Sequence, residues 1–207
     1  MNDDVIIEAT ITVVDRTLRR EFCEDFYKRC AYAAMATCNL LADKGIQSEM
    51  LGGNFAAFVV SPDGRRAGMS GYGFSREQSA HFWVEAAGRY IDIGPHYLPL
   101  RPGQVSQAMP PAVWPVIQPL PRYLRYQVLE RFLPDARFNP DPEIETRAAT
   151  FLAKCRERQA KQFGNPKFPR WLLTGPQALL AAASKRDDWA MSAVRFEGGE
   201  GFTELPF

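Results

Sequence analysis

Three residues set well apart in the chain, Cys30, His81 and Asp92, are the types that thiol-based acyl transfer requires. The thiol is the nucleophile and the imidazole moves the proton. The carboxylate fixes the imidazole tautomer and supports its charged form. Because the thiolate is the attacking species, the sulfur has to be activated. A helix N-terminus or a neighbouring imidazolium lowers a thiol pKa from about 8.5 to as low as roughly 3.5. Cys30 stands where an Ala-rich run begins, so its sulfur is expected at the positive end of a helix dipole, facing unsatisfied N–H groups. Those N–H groups can also stabilise an oxyanion, and Lys28 and Arg29 add positive charge just before the thiol.

Other reactive residues have weaker contexts. Cys38 lies about two turns along the same apolar stripe and reads as core. Cys23 and Cys155 have no helix-start context and no acid–base partner, and both read as structural. His96, after Gly94-Pro95, is the alternative base, and Glu85 reads as a solvent-facing strand residue. No Cys-x-x-Cys or His-x-x-x-His spacing appears, so neither a metal site nor a cofactor is expected. Gly68-Met-Ser-Gly71-Tyr-Gly73 lacks the Lys-Ser/Thr pair of a phosphate loop and reads as a loop bordering a cleft.

The elements that must position these groups follow from periodicity. Ile7, Ile11, Val14, Leu18 and Phe22 recur at helical intervals, although their Val-, Ile- and Thr-rich surroundings favour a strand by composition. The continuity of the period decides for a long N-terminal helix. A second helix runs from Cys30 to Lys44 and stops at Gly45. Short apolar runs follow at Met50 to Leu51 and Phe55 to Val60, and Ser61-Pro-Asp-Gly64 makes a turn. Residues 82–86 and 90–93 flank Ala87-Gly88 as an antiparallel hairpin. A two-residue turn pairs Trp83 with Asp92 and makes His81 its diagonal neighbour on the same face. The Pro-rich stretch from Pro99 to Pro142 is expected to drape over the core, with a short helix near Tyr123 to Phe132. Helices are expected from Glu143 to about Gln162 and, capped by Thr174, from Gln177 to Ala183. An edge strand is expected over Trp189 to Phe196.

Taken together, Cys30-Ala-Tyr-Ala-Ala-Met-Ala-Thr-Cys-Asn-Leu-Leu-Ala-Asp-Lys-Gly45-Ile46 resembles the core helix of transglutaminase-like proteins. His81-Phe-Trp83-Val-Glu85 and Tyr90-Ile-Asp92-Ile-Gly-Pro95 are similar to that family's His and Asp strands. The resemblance covers roughly residues 25–96 and implies an α+β, papain-like (cysteine proteinase) fold. In it, N-terminal helices pack on an antiparallel sheet, and a Pro-rich, helical extension follows over residues 97–207. It also implies Cys30 as nucleophile, His81 as base and Asp92 as the orienting acid. The sequence departs from the family at Tyr27-Lys28-Arg29, where a small residue is usual before the Cys, and at Tyr90, where a Trp is usual. No Gln upstream of Cys30 offers an oxyanion donor.

Composition bounds the rest. The 207 residues suffice for a single domain with a real core. Twenty-five Lys and Arg against 24 Asp and Glu give a net charge of +1, which argues against nucleic acid or an anionic membrane as partner. Arg122, Arg125, Arg131 and Arg137 read as a solvated face. Four scattered cysteines, an acidic start and no long apolar segment point to a cytoplasmic protein with reduced thiols. The expected activity is that of a cysteine-dependent hydrolase or acyltransferase acting on a peptide, amide, ester or thioester. The alternatives are a catalytically silent binding module of the same fold and an interaction scaffold built on the Pro-rich segment.

Overall fold

An apolar stripe on an otherwise polar segment builds the first helix, α1 (Asp3–Glu21). The Asn2 side chain caps it by accepting from the Asp4 N–H, acidic residues occupy its first turn, and Arg19 and Arg20 occupy its last. Ile7, Ile11, Val14 and Leu18 are wholly buried. Burying that stripe against neighbouring helices outweighs the β-propensity of the residues between. The computed structural model describes residues 2–73, 79–103 and 105–199 of this chain.

Helix α2 (Cys30–Ala42) is buried over most of its length. Its alanines let it pack closely against α1, the sheet and a later helix. Gly45, at φ +78°, ends the helix in the left-handed conformation, and the Ile46 N–H closes back onto the Leu41 carbonyl at 3.1 Å.

The sheet has six strands: β1 (Ser48–Val60), β2 (Ala67–Tyr72), β3 (His81–Ala86), β4 (Arg89–Asp92), β5 (Ala112–Pro115) and β6 (Leu124–Phe132). Every pairing is antiparallel. The long β1 takes β3 along its first half and β2 along its second, while β6 lines its other edge. β4 and β5 extend the sheet beyond β3. A short helix, α3 (Gly94–Tyr97), leaves the end of β4. Three longer helices follow: α4 (Pro142–Ala160), α5 (Pro176–Ser184) and α6 (Asp188–Glu197).

Two apolar cores result. One joins α1, α2 and α4 to residues of β1, β3 and β4, with Leu40, Val84, Ile91 and Phe151 among its members. The other gathers α5 and α6 around Phe58, Trp114, Tyr123 and Trp189. The Trp189 indole N–H donates to the Phe58 carbonyl at 2.9 Å. The chain is thus an α+β protein. No helix among the described residues is long and apolar enough to cross a membrane.

Several local expectations are corrected. Leu124–Phe132 is a strand, not a helix, because the free edge of β1 offers it eight register partners from Met50 to Ala57. Trp189 to Phe196 is helical, not an edge strand. Asp187 caps the helix through the Ala190 N–H, and Trp189, Ala190 and Ala193 bury one helical face. Gly68 to Gly71 lies in β2 rather than a loop. The two apolar runs around Gly52-Gly53 form one continuous strand, whose register against β6 shifts between those glycines. Gly175, at φ +148°, takes the cap position expected of Thr174. The sheet also draws β5 and β6 from beyond residue 96, so its pairing is not confined to residues 25–96.

Candidate active site

The hairpin that carries His81 and Asp92 is set by its turn. Ala87 and Gly88 both have positive φ, the geometry that matches the twist of a two-residue hairpin. Ala86 then pairs with Arg89, Glu85 with Tyr90 and Val84 with Ile91. Continuing that register sets Trp83 opposite Asp92, with His81 on the diagonal. The imidazole Nε2 and Asp92 Oδ2 lie 2.8 Å apart, and both side chains are almost completely buried.

A buried carboxylate needs its lone pairs occupied. Asp92 Oδ2 also accepts the Tyr126 hydroxyl at 2.9 Å, and Oδ1 accepts the Gly94 N–H at 2.7 Å. Gly94 is required here by space. A Cβ on it would meet Nε2 of His81 at 2.7 Å and Oδ1 of Asp92 at 2.8 Å. Burial alone would push the His81 pKa down. The charge and hydrogen bond of Asp92, then the Cys30 sulfur, override burial and raise it to about 10.

Cys30 is the first residue of α2 and is half-buried. Arg29 precedes it as the cap residue without supplying a side-chain hydrogen bond. The helix start is therefore open at the sulfur. The thiol lies near enough to act on the imidazole through hydrogen bonding and charge. With Nε2 held by Asp92, Nδ1 is the nitrogen left to it. Nδ1 accepts or donates no hydrogen bond of strict geometry among the described residues. Behind the thiol, between α2 and the sheet, the space is only about 10 Å³ and is bordered by Ala33, Thr37, Trp83 and Tyr97. That is room for about one water. A group that reaches the sulfur therefore has to approach from the outer side of Cys30.

Aromatic rings hold the imidazole in place. Tyr72 stacks on it at 5.0 Å with 9° between planes, Phe55 lies at 4.8 Å and Trp83 at 6.0 Å. Tyr126 packs on Phe55 and Trp83, each at 5.0 Å, while its hydroxyl reaches Asp92. Below the site, Tyr97 donates to the buried Asp15 at 2.8 Å, and Arg19 pairs with the same carboxylate. These contacts anchor α3, whose first N–H holds Asp92.

The remaining candidates fall outside this cluster. Cys38 and Cys155 are buried, and burial raises both thiols, that of Cys155 to about 12. Cys23 is exposed, so it has no structural packing role. His96 turns away, with Nδ1 against the Met109 carbonyl at 2.9 Å and Nε2 towards Arg19 at 3.4 Å. Burial lowers its pKa. Arg29 pairs with Asp25, and Lys28 lies over the Tyr27 ring, so neither charge is left free beside the sulfur. Glu85 binds Arg131 at 3.1 Å. No group of three or more His, Cys, Asp or Glu among the described residues is gathered to hold a metal ion.

Tyr126, Tyr72 and Gly94 belong to the site but were not identified from the sequence. Tyr126 lies in a segment expected to be a helix, and Tyr72 in one expected to be a loop. A period-two signal, Leu124, Tyr126 and Val128 alternating with Arg125 and Gln127, was available for β6. Gly94 had no local signal, since its need arises from a side chain thirteen residues away. Comparison with models of known protein families, with curated proteins and with solved structures finds no match for this chain.

Proposed function

We propose that this chain is a cysteine-dependent acyl-transfer enzyme with a papain-like, transglutaminase-like core, acting on an amide, ester or thioester carbonyl. One observation carries the reading: a buried His81–Asp92 pair at 2.8 Å whose imidazole feels the half-buried Cys30 thiol at an uncapped helix start. Such an arrangement stabilises an imidazolium, the partner a thiolate needs.

In the reaction, the Cys30 proton moves to His81 Nδ1 and the sulfur attacks the carbonyl carbon. The C=O π pair moves to oxygen, where backbone N–H groups at the start of α2 receive the charge. Collapse restores the carbonyl and expels the amine, alcohol or thiol, which takes the proton from His81. The acyl-enzyme is then resolved by water in a hydrolase, or by an amine in a transferase. Asp92 holds the imidazole by Nε2 throughout.

The test is alkylation with iodoacetamide across pH, with the modified residue located by mass spectrometry. Selective labelling of Cys30 at pH 6, slowed by His81→Ala, is expected. Equal or absent labelling of the four cysteines would overturn the enzyme reading in favour of a non-catalytic binding module.

A further inference from the structure

Tyr72 ends β2 opposite Phe55, with its ring parallel to the His81 imidazole at 5.0 Å. The Arg101 guanidinium covers the same ring at 4.6 Å from its centroid and donates to the Gly71 carbonyl at 3.0 Å. Gly73, at φ +94°, takes the chain away, and a Cβ there would collide with the Asn54 side chain. The phenol ring is thus held from several directions. Its hydroxyl, by contrast, bonds to no described residue. A fixed ring beside the imidazole, its O–H unbonded among the described residues, is the arrangement electrostatic preorganisation requires.

We propose that the Tyr72 hydroxyl is a catalytic oxyanion donor, completing with the α2 backbone N–H groups the hole that receives the carbonyl oxygen of the Cys30 adduct. Burial first, then the Cys30 sulfur ahead of Asp92, push the phenol above its usual pKa. The hydroxyl therefore stays protonated as a donor, on a ring stacked against the imidazole that neighbours the sulfur. The nearby cation of Arg101 opposes the rise and strengthens the O–H as a donor.

This inference rests on the acyl-transfer reading, and the test separates the two. Tyr72→Phe keeps the ring stack and removes only the O–H. Two probes of Cys30 are compared. Iodoacetamide alkylates by displacement: the sulfur forms a C–S bond, iodide leaves with the bonding pair, and no oxyanion forms. p-Nitrophenyl acetate acylates through a tetrahedral adduct: the thiolate adds, oxygen takes the π pair, and p-nitrophenolate leaves as the carbonyl reforms. Wild type is expected to react with both at Cys30. Tyr72→Phe should keep its alkylation rate while its nitrophenolate burst slows by about 10²-fold, the effect of one lost oxyanion donor. An undiminished burst overturns the donor role and leaves the triad reading standing. Equal slowing with both probes shows that Tyr72 acts by holding His81, which also overturns it. A wild type inert to both reagents removes the triad reading and, with it, the donor.

Discussion

Gly94→Ala tests whether the imidazole is held by packing. Gly94 opens α3 without a positive φ, so backbone conformation does not demand glycine. Alanine there reduces unfolded-state entropy and would by itself stabilise the protein by about 0.5–1 kcal/mol. The opposing effect is steric. The new methyl would come to 2.7 Å of His81 Nε2 and 2.8 Å of Asp92 Oδ1, and closer still to His81 Cε1. His81 is wholly buried among aromatic rings and has nowhere to retreat. Overpacking of this kind costs about 1–3 kcal/mol, so a net loss of about 1–2 kcal/mol is expected. For a chain of this size that lowers Tm by about 2–8 °C. The functional loss should be larger, because a displacement of about 1 Å in a catalytic group costs on the order of 10²-fold in rate. Urea unfolding and the p-nitrophenyl acetate burst measure the two effects on one preparation. Gly68→Ala in β2 is the control, since nothing lies within 4 Å of its Cβ position. A Gly94→Ala protein as stable as wild type and equally fast would refute the claim that packing at Gly94 positions His81.

Asp92→Asn should flatten the alkaline dependence of stability. The His81 pKa is raised to about 10 in the fold, against about 6.5 unfolded. Its contribution is therefore complete below about pH 6.5 and lost as pH rises towards 10. Urea titrations from pH 6 to 10 of the two proteins, each with Cys30 intact, measure the difference, and parallel profiles would contradict the assignment. Tyr126→Phe keeps the packing on Phe55 and Trp83 but removes one of the three donors on Asp92. A loss of about 1.5 kcal/mol in urea unfolding is expected, and no change would mean the hydroxyl is not supporting the carboxylate. Phe55→Ala removes the ring beneath His81, Tyr72 and Tyr126, and should cost about 3–5 kcal/mol. A cost under about 1 kcal/mol would show that the site does not depend on that ring.

Where an element's own sequence contains the deciding interaction, sequence and structure agree. The stripe Ile7, Ile11, Val14, Leu18 predicts α1, and Gly45 predicts the end of α2. The Ala87-Gly88 turn predicts the register that brings His81 diagonal to Asp92. Readings failed where the deciding partner was distant. The edge of β1 makes a strand of Leu124–Phe132, and contact with the second core selects the helical form of Asp188–Glu197.

The sequence by itself determined the helix start at Cys30 and the hairpin joining His81 to Asp92, because each depends on contacts within about a dozen residues. Only the tertiary structure decided what surrounds them. Tyr126 reaches Asp92 across 34 residues, and Tyr72 meets His81 only because β2 and β3 share one edge of β1. Long-range strand pairing is fixed by the whole sheet, and no local window of sequence contains that information.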